Sequence, residues 1–274
     1  MARAAPRPAD GRMPLVEHLR ELRRRLSWAA LAYAVAVAVT YAFWSPVFDL
    51  LRHPYCGVVG PGRCNLYSFG IFDQFQVRMR VAFIGGAVLS APVWLYQLGA
   101  FITPALHRKE RRYAAGFLLA ALVFFALGAG FAYLTLSHGL SLLLHVAGSH
   151  IMILTSLKEY LSFVSLILLL FGLAFEFPVV IVFLNVVGVL SVARMRAWRR
   201  GMIVGLFFAA AVLTPSTDPF TFLALGVPLV VLYELCILLA RLRERTARRR
   251  AALDPLHTLD DDLPSTVDNM PSQL

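Results

Sequence analysis

The chain has 274 residues, of which 59% are hydrophobic and only 15% are charged, against roughly 25% charged residues in soluble domains. A mean hydropathy of +0.69 excludes a soluble globule, which could not bury so much apolar surface beneath a charged exterior, and a disordered chain, which would be polar. The composition therefore predicts an all-α protein that crosses the lipid bilayer several times.

Six apolar stretches are visible in the sequence, at about 27–46, 81–103, 113–136, 161–190, 201–213 and 221–240. A bilayer core of about 30 Å requires roughly 20 helical residues. The fifth stretch is too short for a straight span, and the sixth is just long enough. We therefore predict six transmembrane helices with short fifth and sixth spans. The alternative is that the last two stretches form a re-entrant pair.

Basic residues are distributed very unevenly along the chain. Of its 26 lysines and arginines, 21 lie before the first apolar stretch, after the second, after the fourth or beyond residue 240. The positive-inside rule places those segments, and both termini, in the cytoplasm. The net charge of +10 is thus a topology signal and does not indicate nucleic-acid binding.

Three regions follow from these patterns. Residues 1–26 form a cytoplasmic N-terminal segment with an amphipathic helix, residues 27–240 form the transmembrane domain, and residues 241–274 form a cytoplasmic tail that is first basic, then acidic and disordered. The amphipathic helix is indicated by a stripe of leucines at helical spacing, Leu15, Leu19, Leu22 and Leu26.

Two acidic residues stand out in segments that are otherwise basic. Glu21 follows Glu17 by one helical turn. One interpretation is a solvated helix in which neighbouring arginines neutralise both glutamates. Glu110 is a single acid among four bases in the loop 103–112. An exposed salt bridge would contribute only about 0–1 kcal/mol there. The other interpretation is that these carboxylates bind a guanidinium ligand, whose two N–H groups match a carboxylate.

Glu176 lies near the middle of the fourth apolar stretch, within Phe175-Glu176-Phe177-Pro178. A charged carboxylate at that depth costs a few kcal/mol, so it should be protonated, paired or facing a polar cavity. We interpret it as functional. Pro178 leaves the carbonyl of residue 174 without its helical partner and predicts a kink.

The remaining polar features have local explanations. Asp218 before Pro219, in the predicted outside hairpin, is typical of an N-cap followed by proline at the first helical position. Cys56 and Cys64 share the first predicted outside loop, where a disulfide and two free thiols are both open. Cys236 lies in the sixth apolar stretch, and we predict that it serves only to pack the helix. Since the sequence contains no phosphate-binding loop and no close set of histidines, we predict no enzyme, metal or cofactor.

Several segments, in one order, resemble the TatC family, which supplies the core subunit of the twin-arginine protein translocase. They are Glu17 to Leu26, Ser90 to Gln97, Glu110-Arg111-Arg112, Phe175-Glu176-Phe177-Pro178 and Leu213-Thr214-Pro215. The resemblance extends from about Leu15 to Arg241, which is most of the chain.

This resemblance implies recognition of the twin-arginine signal peptides of folded cargo at a cytoplasmic site. That site would combine the N-terminal segment with the first cytoplasmic loop. Glu21 and Glu110 would then pair with the two signal arginines, and Arg23, Phe101 and Arg111 would shape the surrounding surface.

The resemblance also implies a role for Glu176 within the membrane, where it would hydrogen-bond the single helix of a TatA- or TatB-type partner. The chain would self-associate in a larger complex in the bacterial cytoplasmic membrane, and export would use the proton-motive force. A proton-coupled small-solute transporter with Glu176 as its carrier is the main alternative, and a membrane scaffold without transport function is another. Neither assigns a role to Glu21 and Glu110.

Overall fold

The computed structural model describes residues 15–60, 64–102, 111–147, 155–214 and 218–252. Within these ranges the chain forms ten helices. In order they are α1 (Leu15–Ala42), α2 (Trp44–Val59), α3 (Asp73–Leu89), α4 (Ala91–Ile102), α5 (Arg111–Ala147), α6 (Leu157–Ala174), α7 (Glu176–Val186), α8 (Val192–Ala197), α9 (Arg199–Leu213) and α10 (Pro219–Ala252).

Four segments of the described chain are long and apolar enough to cross a membrane: Leu19–Ala42, Gly116–Leu142, Leu157–Val186 and Pro219–Thr246. The pair α3 and α4 adds a fifth if it is counted as one bent span. These findings confirm an all-helical membrane protein. The count of six spans and the side on which the termini lie stay predictions.

The last two predicted spans differ from each other in length. Helix α9 has 15 residues, so the fifth apolar stretch is a short helix, and its crossing of the membrane stays a prediction. The short sixth span is wrong, because α10 has 34 residues and contains Pro228 without ending there. Its extension past residue 240 is rich in Arg, Leu and Ala, which favour helix, so the basic start of the predicted tail is helical. The acidic remainder lies outside the described residues.

Asp218 is the N-cap of α10, directly before Pro219, as the sequence predicts. Its Oδ1 accepts a hydrogen bond from the backbone N–H of Thr221 at 2.7 Å, which satisfies one of the free donors at the helix N-terminus.

Helix α10 is also joined to the two helices before it. An ion pair between Arg199 and Glu234 joins α9 to α10, and the Tyr233 hydroxyl of α10 donates to the carbonyl of Met195 in α8 at 2.9 Å.

Helices α1 and α3 pack closely in antiparallel directions. The Arg78 guanidinium donates to the carbonyl of Tyr41 at 3.0 Å and lies 4.2 Å from the centre of its ring. Further along, the Tyr33 hydroxyl donates to the carbonyl of Phe83 at 3.2 Å. The boundary proposed at residue 26 falls inside α1, which continues unbroken from the N-terminal segment into the membrane.

A bend of 50° separates α3 from α4 at Ser90. Pro92 explains it, because proline lacks the N–H that would continue the helical ladder and its ring crowds the preceding turn. The indole N–H of Trp94 donates to the carbonyl of Ala87 at 3.0 Å across the bend. The first residues of α4 therefore turn away from the α3 axis.

The first predicted outside loop is tied to the bundle. A disulfide joins Cys56 at the end of α2 to Cys64. Tyr67 exchanges backbone hydrogen bonds with the segment before α6, donating to Thr155 at 3.0 Å and accepting from Leu157 at 2.8 Å. Cys236 is buried with a free thiol, in agreement with its predicted packing role.

The helix is interrupted three residues before Pro178, at Phe175, which separates α6 from α7; the kink predicted from Pro178 stays a prediction. Helix α5 packs against this break at Gly128. A Cβ built there would overlap the carbonyl oxygen of Phe171 and lie 2.8 Å from the Cβ of Phe175. Only a glycine allows α5 to approach the backbone of α6 this closely.

We expect Gly128→Ala to lower the free energy of unfolding by about 1–3 kcal/mol, since overpacking against backbone cannot be relieved by a rotamer change. Thermal unfolding of the purified protein in detergent measures this effect. Gly130→Ala is the matched control on the same helix, because a Cβ there meets nothing within 4 Å. Equal unfolding temperatures for the two variants would contradict the packing argument.

Candidate functional site

Glu21 is the first of the predicted site residues, and it is partly buried on α1. Its side chain is 16% exposed, although the segment around it is mostly exposed. The Arg25 Nε donates to Glu21 Oε1 at 3.0 Å, and a second N–H of the same guanidinium reaches the same oxygen. Among the described residues, Glu21 Oε2 has no hydrogen-bond partner. One carboxylate oxygen is therefore available to an incoming donor.

Arg25 also connects this part of α1 to α4. Its Nη1 donates to Gln97 Oε1 at 3.5 Å. From Gln97, α4 continues for one further turn to Phe101, toward the end of the bundle where Glu21 lies. Phe101 is half-buried there.

Arg23 lies on the exposed side of α1. With Arg20 and Arg24 it borders a shallow hollow that also includes Ser27 and Trp28. The hydroxyl of Ser27 donates to the backbone carbonyl of Arg23 at 2.9 Å. Arg23 thus lies on a different side of α1 from Glu21, because residues two apart on a helix do not face each other, and it does not pair with Glu21 in the described structure.

Glu110 lies outside the described residues. Arg111 begins α5, and its side chain is likewise outside the description. The structure therefore brings Glu21, Gln97 and Phe101 to one end of the bundle. It leaves the distance from this group to Glu110 open.

Glu176 is the first residue of α7, directly after the break at Phe175. Helix α7 has 11 residues, so Glu176 is about 15 Å along the axis from Val186. This is about half of a bilayer core of roughly 30 Å. The side chain is half-buried, and its Oε1 is buried without a hydrogen-bond partner among the described residues. An unpaired carboxyl at this depth is costly.

The surroundings of Glu176 are apolar and well packed. Phe177 packs against Tyr233 with ring centres 6.3 Å apart, and the carbonyl of Pro178 accepts from the Cys236 thiol at 3.6 Å. Helix α10 therefore supports the start of α7 without donating a hydrogen bond to Glu176 Oε1. A donor for this oxygen has to come from outside the described chain.

Two residues of the site were missed by sequence reasoning. Sequence reasoning includes Gln97 only in the segment Ser90 to Gln97, and it includes Arg25 only among the unnamed arginines that neighbour Glu21. A glutamine within the apolar segment 91–102 was the available signal. In the described parts of the chain, no group of three or more His, Cys, Asp or Glu residues is suited to a metal ion.

The family model described as "Sec-independent protein translocase protein (TatC)" matches residues 17–228. The chain belongs to the TatC family. It is a membrane-spanning component of Tat protein translocation, and its family is not one of known enzymes.

Curated relatives agree over most of the chain. The TatC protein of Frankia casuarinae is 48% identical over 94% of this chain and 74% of its own length. That of Aquifex aeolicus is 33% identical over 85% of this chain and 97% of its own. A crystal structure of the twin-arginine translocase receptor TatC in DDM superimposes with a TM-score of 0.72. It is 31% identical and covers 81% of this chain and 99% of the solved one. The fold predicted from the sequence is therefore that of TatC.

Proposed function

We propose that this TatC-family chain is the receptor subunit that binds twin-arginine signal peptides of folded proteins at its cytoplasmic face. The observation that carries the proposal is the partly buried Glu21 carboxylate. It lies in an arginine-rich segment, toward the end of the bundle where Phe101 lies, on the side facing the helix that leads to Glu110. The solved TatC with the same fold is itself described as a translocase receptor.

The chemistry of the two glutamates suits a pair of arginines. A guanidinium presents parallel N–H groups that a carboxylate accepts in bidentate geometry, whereas the lysine ammonium is a point charge. Glu21 offers its Oε2, and Glu110 supplies the second carboxylate in the adjacent loop. Arg23 and Arg111 are proposed to shape the surface around these two acids.

Glu176 provides a second site, for a TatA- or TatB-type helix. Its unpaired Oε1 would accept a hydrogen bond from a polar residue of that helix. Hydrogen bonds between membrane helices contribute about 0.6 kcal/mol on average and up to about 1.7 kcal/mol. Self-association and export across the bacterial cytoplasmic membrane, driven by the proton-motive force, complete the proposal. The sequence offers no nucleotide-binding motif as another energy source.

The receptor proposal is tested by photo-crosslinking a twin-arginine signal peptide to the full chain in membranes. A Lys-Lys version of the peptide is the control. We expect crosslinks with the Arg-Arg peptide and at least about tenfold fewer with Lys-Lys, since charge-assisted hydrogen bonds contribute about 1.5–3 kcal/mol. Equal crosslinking of the two peptides would reject arginine recognition by this chain.

A proton-coupled small-solute transporter is the second candidate, and the lone carboxyl of Glu176 favours it. Vesicles that contain this chain alone separate the two functions. Uptake of a solute driven by a pH gradient, lost in Glu176→Gln, would support the transporter. We expect no such uptake.

A further inference from the structure

A groove of about 430 Å³ lies between α3 and α6, at the ends of these helices that the charge pattern places outside. It is separate from Glu21 and Glu176. Its walls include Gln76, Arg80, Phe83 and Ile84 of α3, and Lys158 and Ser162 of α6. Because α3 and α6 start near the same face, Gln76 and Lys158 lie nearest that face, and Phe83 and Ile84 lie deeper.

The outer part of the groove is positively charged. Arg80 is exposed on α3 and forms no ion pair or hydrogen bond with any described residue. The Lys158 Nζ is 3.6 Å from Asp73 Oδ1, and Asp73 also accepts from the backbone N–H of Gly70 at 2.8 Å. Lys158 is therefore paired with Asp73, whereas Arg80 has no counter-ion among the described residues, so the outer part of the groove has a net positive charge that suits an anion.

Ser162 lies in the wall of the groove but does not offer its hydroxyl to a ligand there. The residue is only 9% exposed, and its Oγ is enclosed by the protein without a hydrogen-bond partner among the described residues. The polar contacts of a ligand in the outer part of the groove therefore come from Arg80 and Lys158.

The deeper part of the groove is apolar and open to the bilayer. Phe83 is 47% exposed there, below the level of Arg80. Near the outer face, Ile71, Phe72 and Phe75 are also largely exposed, which is typical of residues that anchor a protein at the membrane interface. A ligand in this groove would therefore be charged at its outer end and apolar toward the membrane centre.

We propose that the groove binds an anionic phospholipid of the outer leaflet. Its phosphate lies between Arg80 and Lys158, and an acyl chain runs along Phe83 and Ile84. Arg80 reaches the headgroup by extending its side chain toward the interface. A free phosphate ion would use the outer half of the groove and leave the apolar half empty.

Native mass spectrometry of the full chain, released from bilayers of phosphatidylglycerol and phosphatidylcholine, tests this proposal. We expect one phosphatidylglycerol to be retained in preference to phosphatidylcholine. Arg80→Gln and Lys158→Gln should each weaken retention about fivefold, and together about twentyfold or more, as expected for loss of one basic charge each near an anionic headgroup. Ser162→Ala should leave it unchanged, because the Ser162 Oγ is enclosed by the protein.

Arg52→Gln is the matched control, because Arg52 lies on α2, is exposed and pairs with Asp49. Retention should be unchanged in this variant and nearly unchanged in Arg80→Lys, which keeps the charge. The proposal is overturned if the double variant retains as much phosphatidylglycerol as the unaltered chain, or if that chain retains both lipids equally. Displacement of the lipid by excess inorganic phosphate would overturn the lipid assignment.

Discussion

Replacement of Glu176 by Ala is expected to abolish Tat transport while leaving signal-peptide binding intact. The Glu176 Oε1, which is buried without a hydrogen-bond partner among the described residues, is the proposed acceptor for a TatA- or TatB-type helix. Loss of one such hydrogen bond should weaken docking of that helix about threefold to twentyfold, from energies of about 0.6–1.7 kcal/mol. A transport assay in membranes measures the loss of transport, and co-purification of the partner measures the weakened docking. Signal-peptide crosslinking measures whether signal binding is intact.

The same substitution should not destabilise the protein. A lone carboxyl in the membrane costs about 2.5–3.5 kcal/mol when charged, and no described residue compensates for it at Oε1. The thermal unfolding temperature of Glu176→Ala should therefore be equal to or higher than that of the unaltered chain. Loss of transport with no loss of stability would indicate that the Glu176 carboxyl serves to bind the partner helix and not to stabilise the fold.

Two further variants separate hydrogen bonding from other roles of Glu176. Glu176→Gln retains an acceptor and adds donors, so it should keep most of the partner docking. Glu159→Ala, in the first turn of α6, removes a glutamate from the other end of the same span and should transport normally. Loss of signal binding in Glu176→Ala with docking intact would reject the division of labour between the two sites.

The membrane class and most of the helices could be predicted because hydrophobicity and length are strong, local signals. The N-cap of α10 followed from Asp218 beside Pro219. This feature depends on residues whose chemistry acts within one turn. Family membership followed from the order of several short motifs along the chain.

Features that depend on contacts between helices were not predictable in the same way. Pro92 bends the helix at Ser90, whereas Pro228 lies inside α10 without ending it. The presence of a proline alone therefore does not tell which helix will be interrupted. The link from Glu21 through Arg25 to Gln97 joins positions 72 residues apart, and no spacing rule within one helix reveals it.

Glu21→Gln is expected to reduce arginine-dependent crosslinking of a twin-arginine signal peptide about tenfold, since a charge-assisted hydrogen bond contributes about 1.5–3 kcal/mol. The variant also loses the ion pair with Arg25. An i,i+4 pair contributes only about 0.3–0.5 kcal/mol, so folding should be nearly unaffected. Glu110→Gln should have a similar effect if the loop carboxylate binds the second arginine.

The decisive quantity is the ratio of Arg-Arg to Lys-Lys crosslinking in each variant, because a general loss of negative charge would lower both peptides together. A carboxylate that pairs with a guanidinium should lose discrimination when it becomes an amide, so the ratio should fall toward one. Glu17→Gln is the matched control, since Glu17 is exposed on the same helix one turn away, and its ratio should be unchanged. If Glu21→Gln and Glu17→Gln give the same ratio, then the partly buried position of Glu21 confers no selectivity, and the receptor site must be sought elsewhere on this face.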